Sequence, residues 1–312
     1  MGASLTKKGL KAAADKAIIA ARPALEIVKN FTIDFSDEAV KPGTGVVVDV
    51  MTAAAETFDK STANYAHTTN TTAPITVATD TRKKSTFELD DLDVLEDETG
   101  AALAGNAEAS GRAVGKELVK SITGKLVYTA ALAQYTLTGT TLADYFKIRA
   151  YVEKQGIDPA VAVLLLLPDA YSALCSVLNA GIVGDGSVVR GAIIGQALGF
   201  KAIYSAPTCS AKSGESGGAA VDKGVGFIVP ENALAIVNRV VKPLKGTVGG
   251  LIEYGEHKDE VSGLVTTHRV IYDADTSTAF WTHEGLIGSK LTREVNGGAA
   301  NGAPGFWQIV TD

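Results

Sequence analysis

Four histidines are the residues best suited to acid–base or metal chemistry in this chain: His67, His257, His268 and His283. They stand far apart in sequence, without the short spacings that bring imidazoles onto one metal ion. His268 and His283 fall in strand-like patterns, which reads as packed or solvated imidazole. The 33 glycines invite a nucleotide reading. However, Gly184-Asp185-Gly186 lacks the third glycine of a dinucleotide fingerprint, and Gly124-Lys125-Leu126 lacks both the upstream glycine and the hydroxyl of a phosphate loop. The carboxylates Asp90, Asp91, Asp93, Glu96, Asp97 and Glu98 suggest calcium, but Leu92, Val94 and Leu95 break the regular oxygen spacing that a calcium loop needs. A solvated turn entering a helix fits better, since acids favour helix starts. Cys175 and Cys209 form neither a disulfide framework nor a metal spacing. Cys175, inside an apolar run at 171–178, reads as an inert buried thiol. No Ser–His–Asp set with a nucleophile elbow is recognisable. The residues therefore nominate no catalytic group, no cofactor and no metal ligand.

The bulk composition is ordinary for a soluble globular protein. The chain has 312 residues, 46% hydrophobic and 21% charged, enough for one large or two intermediate cores. A formal net charge of -6 argues against a protein that coats nucleic acid through clustered Lys and Arg. It is compatible with a wall that encloses nucleic acid without sticking to it. The N-terminal 21 residues lack a signal-type apolar core. The longest apolar run, 161–167, is far short of the roughly 20 residues needed to span a bilayer. Export and membrane insertion are not expected, and the two lone cysteines suit a reducing interior.

Periodicity supplies the elements. Leu10, Ala14, Ala17, Ile18, Ala21 and Leu25 recur at helical steps over 5–30, with Pro23 expected to break or kink the helix. Such a terminal stripe cannot bury itself and must dock on something. Strand-like pieces at 45–51 and 73–78 flank a polar stretch, 52–72, too poor in large apolar residues to form a core. Together they read as a long projecting hairpin, whose unpaired edges would be a liability in a monomer. Residues 82–89 read as a strand. Leu103, Ala107, Ser110, Val114, Leu118 and Ile122 then make one stripe on a long helix over 99–127, and Ala104, Ala109, Gly111 and Gly115 permit a close neighbour. From 141 to 207 the pattern alternates: helix 142–155, fully buried strand 160–167, helix 168–179, loop 181–191, strand 199–205. A Ser/Gly-rich loop at 210–218 precedes strand 224–230 and a short helix or strand at 231–238. Alternating runs at 251–256, 264–272 and 278–281 read as antiparallel strands. The Gly/Ala-rich tail, 294–312, reads as extended or mobile.

This order of elements resembles the Hong Kong 97-type fold of tailed-phage capsid proteins, shared by encapsulins. The stretch "AVAVLLLLPDAYSALCSVLNAG" at 160–181 resembles that family's strand-then-helix unit. "GAIIGQALGFKAIYSAPTC" at 191–209 resembles its glycine-punctuated loop and strand, with Gly195, Gly199 and Phe200 in the pattern and Ala202 where a β-branched residue is commoner. "HRVIYDADTSTAFWTHEG" at 268–285 resembles its closing strands. The resemblance covers roughly 32–288 and lies in the ordered set rather than in any one motif. It implies an α+β protein with an N-terminal arm and helix (1–40), an extended E-loop hairpin (41–81), and a peripheral domain (82–140 with 243–293) carrying a spine helix over 99–127. An axial α/β domain (141–242) and a C-terminal tail (294–312) complete it.

The function so implied is a major capsid protein that self-assembles, through hexamers and pentamers, into an icosahedral shell around the double-stranded DNA of a tailed phage. Its place would be the virion capsid, assembled in the host cytoplasm. Fewer than 45 residues precede the hairpin, too few for a fused scaffolding domain. A separate scaffolding protein, a portal and a decoration protein are therefore the expected partners. Lys60 lies in the hairpin, but no partner Asn or catalytic carboxylate identifies a crosslink. The residues expected at subunit interfaces are Val50, Thr57, Phe58, Tyr65 and Thr72 in the hairpin, Leu10 and Ile18 in the first helix, and Val183, Asp185 and Val188 in the axial loop. Two alternatives stand beside this reading: an encapsulin-like compartment, and a soluble α/β enzyme with a deep polar pocket.

Overall fold

The computed structural model describes residues 7–34, 46–52, 71–90, 101–126, 134–181, 198–206, 224–243, 250–292 and 306–311. Its first helix, α1 (Lys7–Lys29), runs unbroken through Pro23. A proline costs the bond its N–H would make to the carbonyl four residues earlier, here that of Ile19. Both Pro23 and Ile19 are exposed, so water can satisfy that carbonyl. The buried stripe of Ala14, Ala17, Ala21 and Leu25 meanwhile holds the two halves in line. The second long helix, α2 (Ala101–Thr123), buries Leu103, Ala107, Ser110, Val114, Leu118 and Ile122 as their spacing predicts.

The neighbour that the small residues of α2 admit is α1 of the same chain. A side-chain carbon on Gly111 would stand 2.0 Å from the Ala17 carbonyl oxygen, and one on Gly115 would meet Ala21. Because 111 meets 17 and 115 meets 21, the helices lie parallel, backbone against backbone. Beneath them runs a six-stranded sheet organised by β12 (Thr278–Leu291). One edge of β12 receives β4 (Thr81–Asp90). The other receives β11 (Val265–Asp273) and then β9 (Leu234–Arg239). Buried Asn238 closes the seam between those two: its amide donates to the Val265 and Leu286 carbonyls and its oxygen accepts from the Val265 N–H. The three-residue β1 (Thr32–Asp34) pairs parallel with β9, and β10 (Leu251–Lys258) pairs antiparallel with β11.

A second sheet of five strands has the order β5 (Gln134–Leu137), β13 (Trp307–Thr311), β8 (Gly224–Pro230), β6 (Ala162–Leu166), β7 (Ala202–Ser205). Every residue of β6 is buried, as its continuous apolar run requires. One face of this sheet (Leu164, Leu166, Ile228, Ile309) packs on α3 (Leu142–Lys154) and α4 (Pro168–Gly181) through Tyr145, Ile148 and Leu174. The other face (Val163, Leu165, Phe227, Val229) packs with the C-terminal halves of α1 and α2, joining both sheets in one core.

Several expectations need correction. The tail, expected extended or mobile, is extended but packed at its end: Trp307–Thr311 is an interior strand between β5 and β8, with Phe306 and Ile309 wholly buried. Each such side chain contributes roughly 1.5–3 kcal/mol by leaving water. Of the two alternatives for 231–238, helix or strand, the chain takes the strand, β9, in the six-stranded sheet. The helix expected over 99–127 ends at Thr123. β12 is far longer than 278–281.

The helix contact yields a sign test. Gly111→Ala forces a methyl into the Ala17 backbone and should cost about 1–3 kcal/mol in urea denaturation. Gly105→Ala, on the same helix with open space around it, should be neutral or stabilise by roughly 0.5–1 kcal/mol.

Candidate assembly surface

The feature hardest to reconcile with a lone monomer is a two-stranded ribbon. β2 (Val46–Thr52) and β3 (Thr71–Val77) pair antiparallel in unbroken register, Val46 opposite Val77 and Thr52 opposite Thr71, and neither pairs with another described strand. Its base is rooted in the chain's own core. Val46 and Val77, fully buried, pack with Ile75 on Ala235 and Val237 of β9. The chain leaving β3 lies directly on β12, where a side-chain carbon at Gly288 would come within 2.2 Å of the Ala78 oxygen. Next to the base, Val47 is 55% exposed. Seven residues at roughly 3.3 Å each carry the ribbon about 23 Å along its axis. An isolated two-stranded ribbon is marginal in water, and its outer edges present unpaired backbone groups. Pro74 sits in β3 opposite Asp49. Proline is tolerated in such a ribbon where its missing donor faces outward, which leaves β2 the better edge for a partner strand.

Of the ten residues expected at interfaces, Val50 and Thr72 fall in this ribbon, opposite Ala73 and Met51. Thr57, Phe58, Tyr65, Val183, Asp185 and Val188 lie outside the described residues. Leu10 and Ile18 are corrected: they are 1% and 8% exposed, turned into the chain's own core beside α2 and the sheet. The exposed apolar residue of α1 is Ile19. Leu251 and Ile252, at the start of edge strand β10, are also exposed, with an irregularity in the β10–β11 pairing beside them. The signal for them was present, since two adjacent apolar residues break the alternation of a half-buried strand.

The structure also gathers what the sequence scattered. His257, His268 and His283 lie on β10, β11 and β12, with His268 directly opposite His283. His257 Nε2 and His268 Nδ1 are 2.7 Å apart, so one nitrogen carries the proton and the other accepts it. Trp281 stacks against both His268 and His283. From α1, Asp15 and Lys11 face His257. Burial disfavours the imidazolium form in each: it lowers His257, and, helped by the neighbouring histidines, takes His268 to about 4 and His283 to about 3. Among the described residues no group of three His, Cys, Asp or Glu side chains is placed to hold a metal ion. This row is packed imidazole.

Elsewhere in the sheet, buried Glu284 is held between Arg82, at 2.8 Å, and Arg269. Asp259, in the β10–β11 turn, ties that turn to α1. Burial would raise its carboxyl, but Ser262 and the Arg22 guanidinium outweigh burial and hold it below its usual value. A cleft of about 340 Å³ between α1 and this turn is lined by Leu25, Val28, Ile236 and Leu264 with Lys29, Asp34 and Glu260. The Lys29 ammonium donates to the Val261 carbonyl, and the Ser262 hydroxyl in the lining donates to Asp259; the lining holds no histidine or cysteine. No described helix is long and apolar enough to cross a membrane.

The histidine row sets a pH dependence. Unfolded histidine takes up protons near pH 6.5 while buried His268 and His283 stay neutral down to about pH 4, so the unfolded chain binds more protons in between. Stability should fall as pH drops from 6.5 to 4, by up to about 1.4 kcal/mol per pH unit for each such histidine. Denaturation midpoints from pH 7.5 to 4.5 should show this slope, and His268→Gln should flatten it; an unchanged slope in the variant would refute the assignment.

No family model and no curated protein matches this sequence. Solved structures do match it. A Gordonia phage Cozz structure aligns at TM-score 0.51 and 16% identity, over 93% of this chain and 86% of that one. A capsid structure of the cyanophage P-SCSP1u aligns at TM-score 0.50 and 11% identity, over 92% and 88%. A Mycobacterium phage Adephagia structure aligns at TM-score 0.50 and 14% identity, over 92% and 90%.

Proposed function

We propose that this chain, whose α+β architecture is the Hong Kong 97-like phage major capsid fold, is the shell subunit of a virion and acts by self-assembly rather than catalysis. The observation that carries this reading is the β2–β3 ribbon, seated at its base on β9 and paired with no other described strand along either edge. In a shell such an arm lies on a neighbouring subunit. The backbone hydrogen bonds it makes there contribute about 1 kcal/mol each. Individually weak contacts let misplaced subunits leave, while the closed shell is held by their number.

The finer reading follows the same logic. Hexamers and pentamers form an icosahedral container for the double-stranded DNA of a tailed phage, aided by a separate scaffolding protein, a portal and a decoration protein, and built in the host cytoplasm. The hairpin residues Thr57, Phe58 and Tyr65, with Val183, Asp185 and Val188 of the axial loop, are the proposed intersubunit contacts. The compartment alternative is not favoured, because the three likenesses described above are to phage structures.

The register supplies a clean test. Thr52 and Thr71 are paired, so replacing 53–70 by an Asn-Gly turn closes the ribbon without touching its base. That variant should keep the parent's thermal midpoint within a few degrees yet sediment as monomers or small oligomers where the parent forms closed shells in negative-stain micrographs. Normal shells from the variant would sink the role given to the hairpin.

A further inference from the structure

The packing of α1 on α2 leaves one broad helical face away from the sheet, and its charge is not that of the chain. Lys116 and Lys120, one turn apart, are exposed on the outer face of the C-terminal half of α2, and among the described residues neither has a carboxylate partner. Arg112 on the same face is 68% exposed and carries Glu108 with it. Across the helix contact, Lys16 of α1 is exposed one residue before Ala17, which touches Gly111. Toward the start of α2 the same face continues as Ala102, Gly105, Ala109 and Ala113, all exposed, and a side-chain carbon on Gly105 would meet nothing within 4 Å. Four cations thus stand beside a shallow surface of small residues, opposed by Glu108 and Glu117 on α2, each already in an ion pair, and by the exposed Asp15 and Glu26 of α1. The whole chain, by contrast, carries a formal charge of -6.

We infer that this α1–α2 face is the surface that meets the enclosed nucleic acid, through the phosphate backbone and without reading sequence. The inference rests on the shell reading and adds to it which face looks inward. The chemistry supports phosphate rather than bases. Lysine ammonium groups on flexible stems are point donors suited to phosphate oxygens, and their release of condensed counterions supplies a sequence-independent, salt-dependent attraction. The face offers no aromatic side chain for stacking on bases. The shallow Ala/Gly ground lets a wide, rigid duplex approach the cations without displacing bulk. A chain with net negative charge and one mildly basic face holds a polyanion loosely against that face and repels it elsewhere.

The test uses the full-length protein in its unassembled form and a 30-base-pair duplex of arbitrary sequence, with binding followed by fluorescence anisotropy across a salt series. Lys116→Gln/Lys120→Gln should reduce the slope of log affinity against log salt by about 2, one per phosphate contact removed. Lys84→Gln, exposed on β4, should leave the slope unchanged. The inference is overturned if the double variant binds with the parent's slope. It is equally overturned if polyglutamate, and not DNA, depends on these lysines, which would assign the face to an acidic protein segment. Electron microscopy of the same preparations under assembly conditions separates the two claims. Shells with an unchanged DNA slope refute this face alone, whereas a protein that never assembles refutes the shell reading.

Discussion

The contact on which the rest of the structure depends is the backbone-to-backbone approach of α1 and α2 at Ala17–Gly111 and Ala21–Gly115. Gly111 and Gly115 let two parallel helices share a single layer narrow enough for both apolar stripes to reach the same sheet. The N-terminal half of that layer covers Val270, Ala279 and Trp281; the C-terminal half reaches on to Phe227 and Val229 of the second sheet. A bulkier residue at 111 would push α1 off, uncover the histidine row beneath it and loosen the join between the sheets. The helix layer is in this sense the beam of the subunit, with β12 as the strand beside it that gathers β4, β11 and β9.

That beam explains how the chain can hold the base of a two-stranded ribbon firmly. The ribbon's base is seated on β9 and β12, which are held by the helix layer, so the arm's root is rigid although the arm has no described partner strand of its own. Rigid roots matter for assembly, since an arm that is aimed correctly loses less freedom on docking than one that searches. The mixed chemistry of the surface fits the same purpose. Among the described residues, buried charges sit in locked sets such as Arg82–Glu284–Arg269 and Arg22–Asp259, while exposed large apolar residues are scattered, as in Ile19, Phe146 and Val161, apart from the pair Leu251–Ile252.

Much of this was legible in the sequence, and the exceptions have physical causes. The stripes of α1 and α2, the buried run of β6 and the β2–β3 ribbon follow from local periodicity, which is where one chain speaks most directly about its fold. The ends of elements were harder. β13 hid behind a Gly/Ala-rich stretch, although Phe306, Trp307 and Ile309 are apolar and aromatic enough to mark a buried strand. Pro23 is tolerated because its missing bond faces water. The histidine row could not be read at all: it is made by the register of three strands, and register is a tertiary fact. Leu10 and Ile18 were expected between subunits because a terminal stripe needs a partner, and the partner is the chain itself. The ordered pattern pointed to the capsid fold even though the structures that share it are only 11–16% identical.

Electron cryomicroscopy of the assembled full-length protein tests the central claim most directly. The account predicts closed shells in which the helix layer faces the lumen and the β2–β3 ribbon crosses onto the adjacent subunit with its base still on β9. A compact monomer under every condition, or shells in which the ribbon folds back on its own chain, would contradict it.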